Sequence, residues 1–181
     1  MFLSTVYESP VGPLVLVCNE DGGSLVGLWP ENQKHPFTEL SEADSTTATA
    51  PGFVRTRTWL DQYFAGERPT ISELPLAPIG GEFRQQVWAL LREIPYGDVT
   101  TYGAIAKEVA ARMGKTSMSS QAVGGAVGHN PISIIIPCHR VIGASGSLIG
   151  YGGGMPMKVS LLTHEGVDLT KLTIPTRGTA L

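Results

Sequence analysis

The chain has 181 residues, 42% of them apolar and only 16% charged, which suits one compact domain or two small ones and excludes a disordered chain. Sixteen acidic side chains outnumber thirteen basic ones, so the chain as a whole does not advertise nucleic-acid binding. The only two cysteines, Cys18 and Cys138, exclude a disulfide framework and an all-cysteine zinc site, and they fit a reducing, cytosolic setting. Met1 to Val17 has no basic leader and is interrupted by Glu8, Pro10 and Pro13. No apolar run approaches the roughly 20 residues of a membrane helix, so a soluble, cytoplasmic protein with no membrane partner is expected.

Charge divides the chain. Residues 1–81 hold ten acidic and four basic side chains, whereas residues 82–181 hold six acidic and nine basic, so the second half is the one suited to phosphates. The first half alternates like a small sheet. Phe2 to Glu8, Leu14 to Cys18 and Ser24 to Trp29 are short apolar or β-branched runs, separated by Pro10-Val11-Gly12-Pro13 and Asp21-Gly22-Gly23. Thr38 to Ala50, rich in Ser, Thr and Ala, reads as a mobile loop, and His35 before Pro36 as a solvated residue. Phe53 to Phe64 follows as a helix, with Phe53, Leu60 and Phe64 at helical spacing. Cys18, in an apolar strand, reads as an inert core residue. Glu73 to Gly81, with two prolines and two glycines, reads as a linker.

The second half reads mostly helical. Glu82 to Glu93 carries Phe83, Val87, Leu90, Leu91 and Ile94 on one stripe and ends at Pro95-Tyr96-Gly97-Asp98. Thr100 or Thr101 can cap the next helix, which runs through Ile105, Ala106, Val109 and Ala110 to Gly114. A polar turn leads to Ser119-Ser120, a second cap, and then to Gln121-Ala122-Val123-Gly124-Gly125-Ala126-Val127-Gly128. Helix, short turn, helix is the shape of a helix-turn-helix. Glycines weaken the second helix by about 1 kcal/mol each, so they serve either close approach by DNA or tight packing on the first helix.

Ile132 to Ile136 reads as a strand that stops at Pro137-Cys138-His139-Arg140-Val141. Proline forces a turn that re-aims Cys138, and flanking cationic groups would favour its thiolate, the nucleophilic form. Adjacent residues of an extended chain face opposite ways, so the thiol proton could reach His139 through a water instead of directly. Lys158 to Glu165 reads as a helix closed by Gly166. A carboxylate in its last turn opposes the helix dipole, so Glu165 either frays into solvent or orients an imidazole.

Asn130-Pro131, Ile136-Pro137-Cys138-His139-Arg140-Val141, Gly150-Tyr151-Gly152-Gly153 and His164-Glu165-Gly166 resemble the O6-alkylguanine-DNA alkyltransferase family over residues 82 to 169. Residues 1–81 are similar to that family's ribonuclease-H-like α/β domain in size and strand pattern. The resemblance implies that this domain is followed by a winged-helix-like alkyltransferase domain at 82–169 and a tail at 170–181. It also implies a suicide reaction on duplex DNA with nucleotide flipping. Cys138 would accept the alkyl group of O6-alkylguanine, with O4-methylthymine as a further substrate. Glu165 would hold His139, which takes the thiol proton through a water, while Asn130 braces the turn.

Tyr102 would press on the phosphodiester and protonate N3 of the leaving guanine. The backbone of Cys138 and Val141 would read the guanine amino group, that of Gly152 would face O6, and Lys158 would add positive charge. Gln121, Ala122 and Gly125 lie on the family's recognition helix. Gln121 stands where many relatives carry an arginine finger, Gly152 where some have serine, and Ser133 where some have proline. Cys18 alone cannot support the zinc site of some relatives, so no metal or cofactor is expected, and the protein is expected to act as a monomer. Three other readings compete: a silent lesion-flagging relative, which would lack Cys138; a cysteine hydrolase, which would turn over esters; and a transcriptional regulator, in which Cys138 would stay unalkylated.

Overall fold

The computed structural model describes residues 2–33, 43–44 and 49–175, and His35 and most of the Thr38 to Ala50 stretch lie outside them. The chain divides into two compact units: Met1–Ile79 with Pro131–Ser133, and Gly80–Asn130 with Ile134–Leu181.

The first unit is built on a four-stranded sheet. Strands β1 (Phe2–Ser9), β2 (Gly12–Cys18), β3 (Leu25–Pro30) and β4 (Ala43–Asp44) lie in the order β3-β2-β1-β4. β1 and β2 pair antiparallel from Leu3 opposite Cys18 to Ser9 opposite Gly12, which the short Pro10-Val11 connection requires. The expected loop thus contributes a strand, because Ala43 and Asp44 pair parallel with Phe2 and Leu3. Beyond β3, Leu76 bridges Leu25 and Ile132 bridges Leu28. Part of the expected linker is therefore tied to the sheet, with Leu25 N–H donating to Pro75 O and Ala77 N–H to Leu25 O, both at 2.8 Å.

Helix α1 (Pro51–Phe64) opens on a proline, which already has helical φ and no N–H to leave unpaired, and it packs on β1, β2 and β3. It buries Phe53, Trp59, Leu60 and Tyr63, and the rings of Trp59 and Tyr63 stack with centroids 5.4 Å apart. Gly52 sits so close to β2 that a Cβ there would lie 2.7 Å from Cys18 Sγ.

The second unit is helical. Helices α2 (Glu82–Arg92), α3 (Tyr102–Arg112) and α4 (Ser120–Gly128) pack against one another. The caps fall where side-chain chemistry puts them: Thr101 accepts from Ala104 N–H, and Ser119 from the N–H groups of Gln121 and Ala122. Trp88, fully buried on α2, donates its indole N–H to Ala126 O at 2.9 Å and so pins α4. Strands β5 (Thr100–Thr101) and β6 (Val141–Ile142) pair parallel, Thr100 with Val141 and Thr101 with Ile142. That ladder joins the residue before Tyr102 to the residues just after Arg140.

Helix α5 (Met155–His164) sends Leu162 into a cluster with Ile142 and Leu148, lined by Val99, Val167 and Leu172. Thr173 exchanges backbone hydrogen bonds with Leu148 and Gly146.

The expected strand at Ile132 to Ile136 is absent. Past the bridge at Ile132 the chain turns, and Ile134 has φ +69°, a left-handed conformation that no strand contains. Burial drives this. Ile134, Ile135 and Ile136 are all 1% exposed or less, which alternation on a strand facing solvent would not allow. Asn130 closes the loop by donating its side-chain amide to Ile136 O at 2.8 Å.

Candidate active site

Cys138, His139 and Arg140 form one turn of 3-10 helix after Pro137, and all three are at most 5% exposed. The turn re-aims Cys138 as the sequence suggested, but it does not expose it. Asn130 hydrogen-bonds the sulfur, the backbone N–H groups of Cys138 and His139 approach it, and the Lys158 charge lies near. Burial nevertheless outweighs these and pushes the thiol above its ordinary range. Burial thus opposes the thiolate that the neighbouring cationic residues would favour, and the Arg140 fork goes to Glu165 instead.

His139 is fully buried. Its Nε2 lies 2.6 Å from Glu165 Oε1, while its Nδ1 has no hydrogen-bond partner among the described residues. Because a buried carboxylate accepts, Nε2 carries the proton and Nδ1 is left as the basic nitrogen. Burial lowers the imidazole pKa, Glu165 raises it, and the charges of Arg140 and Lys158 lower it again, for a net fall.

Glu165 is the C-cap of α5 and its side chain is wholly buried rather than frayed. Burial works to raise its pKa, but the hydrogen bonds and charges of His139 and Arg140 prevail and hold it well below the usual carboxylate range. Arg140 ties the active-site turn to Glu165 and Ile94. Its Nε and Nη2 donate to the two Glu165 oxygens at 2.8 and 3.0 Å, and Nη1 to Ile94 O at 2.6 Å. Glu165 also accepts from Gly97 N–H at 3.2 Å. Only the adjacency of Arg140 to His139 could have hinted at this.

Lys158 is equally buried, with Nζ donating to Val141 O at 2.6 Å and Ile149 O at 2.9 Å. Burial brings its pKa down to about 8, partly offset by Cys138. It is a backbone clamp beside the thiol, and it already engages the Val141 carbonyl. Tyr102, the first residue of α3 and 8% exposed, donates its hydroxyl to Ile149 O at 2.9 Å, with Gly150 O at 3.2 Å. Burial and the nearby Cys138 raise its pKa. Gly150 is required here: φ is +70° and a Cβ would stand 2.7 Å from the Tyr102 hydroxyl.

A groove of about 760 Å³ opens beside Tyr102, lined by Gln121, Gly124, Gly125, Gly143 and Gly150. Gln121, Ala122, Gly125 and Gly128 are exposed on α4, and a Cβ on Gly125 or Gly128 would meet nothing within 4 Å. Those two glycines therefore do not serve packing on α3. Gly152 is exposed in a turn, and His129, also exposed, bonds Gly125 O through Nδ1 at 2.7 Å. Seven of the expected site residues thus gather around the thiol or its clamp: Cys138, His139, Glu165, Asn130, Lys158, Val141 and Tyr102. Among the described residues no cluster of three or more metal-ligating side chains occurs, and no helix is long and apolar enough to cross a membrane.

Fold and site together define a ribonuclease-like α/β unit followed by a helix-turn-helix unit that carries a buried cysteine. Family models describing the 6-O-methylguanine DNA methyltransferase ribonuclease-like domain and DNA binding domain match residues 2–78 and 82–167. The chain belongs to the 6-O-methylguanine DNA methyltransferase family. A methylated-DNA–protein-cysteine methyltransferase of Mycolicibacterium paratuberculosis is 50% identical over 87% of this chain and 88% of its own. One of Methanosarcina acetivorans is 42% identical over 89% and 96%. The solved structure of Mycobacterium tuberculosis OGT in complex with DNA aligns with a TM-score of 0.74 and 39% identity, covering 94% of each chain.

Proposed function

We propose that this protein binds duplex DNA carrying O6-alkylguanine and transfers the alkyl group irreversibly to Cys138, one equivalent per monomer, in the cytosol. The observation that carries this reading is the buried array in which Cys138 neighbours an imidazole tethered by Glu165 through Nε2 and left basic at Nδ1. Residues 82–169 would hold the chemistry, 1–81 would form the ribonuclease-like domain, and 170–181 the carboxy-terminal segment.

The thiol is protonated at rest, so it must lose its proton to attack. His139 Nδ1 takes that proton, through a water, and Glu165 stabilises the imidazolium that forms. A sulfur electron pair then forms the bond to the alkyl carbon as the C–O6 bond breaks and its electrons pass to guanine. Tyr102 gives its hydroxyl proton to N3 of guanine, and the imidazolium proton restores the tyrosine. One proton leaves the thiol and one enters guanine, so the site ends with its charge unchanged. The product is a thioether, which nothing in the site can cleave.

A stacked base cannot reach a buried sulfur, so the nucleotide is extruded at a cost of a few kcal/mol. The open, glycine-bearing face of α4 suits close approach to a DNA groove, with Gln121 and Ala122 on its first turn and Gln121 as the wedge that fills the gap. Backbone groups of Cys138, Val141 and Gly152 would read the flipped base. Incubation with duplex DNA containing O6-methylguanine, followed by intact-mass and peptide analysis, tests the proposal. A single methyl gained on the Cys138 peptide is expected. Continued turnover with excess lesion, or methyl on another residue, would refute it.

A further inference from the structure

We infer that Arg140 is a positioning residue: it supplies the positive charge that buried Glu165 demands, so that His139 can be held by that carboxylate and remain uncharged. This rests on the reading that His139 accepts the thiol proton.

The geometry is a shared carboxylate. Glu165 Oε1 faces both His139 Nε2 at 2.6 Å and Arg140 Nη2 at 3.0 Å, and Oε2 faces Arg140 Nε at 2.8 Å. The Glu165 side chain is entirely buried and that of Arg140 is 7% exposed, so water supplies little screening. Arg140 is itself held from the far side, by Ile94 O at 2.6 Å and by the Tyr96 ring, whose centroid is 5.8 Å from the guanidinium carbon. Its fork cannot swing away to serve another partner.

A buried carboxylate without a fixed countercharge draws a proton to itself or to its nearest base. That nearest base is His139, and an imidazole already protonated cannot take a proton from Cys138. A cation on the carboxylate therefore favours the state in which His139 is tethered by Glu165 and still basic at Nδ1. Arginine suits the task because it stays charged in a dry site and its fork matches both oxygens.

The ionisable groups packed around His139 are Glu165 and Lys158 from α5, with Arg140 and Cys138 from its own turn; Tyr102, at the start of α3, faces Cys138. Only Glu165 works to charge the imidazole. Burial opposes that first, and the Arg140 and Lys158 charges add to the opposition. Lys158 donates to the carbonyls of Val141 and Ile149, so Arg140 is the cation in direct contact with the carboxylate.

The test measures alkyl transfer from the free base O6-benzylguanine, which needs no flipping, between about pH 5 and 9 for wild type, Arg140→Met and Arg140→Lys. Arg140→Met should move the acid limb of the rate profile upward by at least about one unit, a loss of roughly tenfold at pH values on that limb that is regained at high pH. Arg140→Lys keeps the charge and should keep the limb near its wild-type position. Equal slowing of Arg140→Met at every pH, or the same shift in both variants, would overturn the inference. Should Arg140→Met fail to fold, the ring nitrogens of His139 in the wild-type protein decide by ¹⁵N NMR. A neutral ring protonated at Nε2 at neutral pH supports the inference, and a doubly protonated ring overturns it. A wild-type protein that alkylates on no substrate would sink the proposed function, yet the ring spectrum would still decide this inference.

Discussion

The two cysteines make an instructive pair. Cys18 is fully buried and Cys138 is 5% exposed, and burial raises the pKa of both thiols. Their neighbours differ. Beside Cys18, which is pushed up to about 12, the charge that counts is Asp21, which opposes a thiolate further. Around Cys138 stand an amide donor, two backbone N–H groups, a lysine and a tethered imidazole. Burial alone makes a thiol inert. Burial with a base and donors in place makes one that can be activated once a substrate arrives.

Exchanging each cysteine tests that contrast most severely. Cys138→Ala is expected to abolish alkyl transfer while DNA binding persists, because phosphate contacts owe nothing to sulfur. Cys18→Ser should leave transfer at one equivalent and instead destabilise the fold by about 1–3 kcal/mol, the cost of burying a hydroxyl. Intact mass and denaturant melts separate the two outcomes. A Cys18→Ser protein that folds normally but cannot be alkylated would erase the distinction.

Glu165→Gln removes the base's support without touching the sulfur. Transfer at neutral pH should fall at least about tenfold, with a smaller effect on DNA affinity. The carboxyl pKa is depressed in the folded protein, so its contribution to stability is fully present above the ordinary carboxylate value of about 4.3. That contribution is lost progressively as pH falls further. Thermal melts from neutral to acid pH should therefore show wild type losing its advantage over Glu165→Gln in acid. An advantage that persists unchanged there would mean the carboxylate is not held as described.

Two glycines sharpen the comparison at the level of packing. A Cβ on Gly52 would strike Cys18 Sγ and the Gly22 carbonyl at 2.7 and 2.8 Å, so Gly52→Ala should cost about 1–3 kcal/mol. Gly125→Ala meets nothing and should stabilise α4 by up to about 1 kcal/mol while weakening binding to duplex DNA. Unchanged DNA affinity would show that this glycine is not kept for groove approach. The smallest effect expected is at Gln121, exposed on the first turn of α4. Gln121→Arg should raise the transfer rate on duplex DNA a few-fold and leave that on O6-benzylguanine almost unaltered. Equal duplex rates for Gln121→Ala, wild type and Gln121→Arg would assign the wedge to another residue.

Local chemistry was legible in the amino-acid order. Strand and helix positions followed from alternation, apolar stripes and the hydroxyl caps around Thr101 and Ser119, all of which act within a few residues. The Pro-Cys-His-Arg core and the awkward carboxylate at Glu165 named the reactive positions. What tertiary structure decided was everything that depends on a partner far along the chain. Ile132 to Ile136 looked like a strand because apolar runs report burial, whereas Asn130 and the left-handed Ile134 make it a turn. Arg140 looked free to lower the Cys138 pKa, yet its fork goes to Glu165, 25 residues away. Whether Cys138 rests as thiol or thiolate is a balance between lost water and nearby charges. That balance exists only once α5 and the active-site turn have packed together.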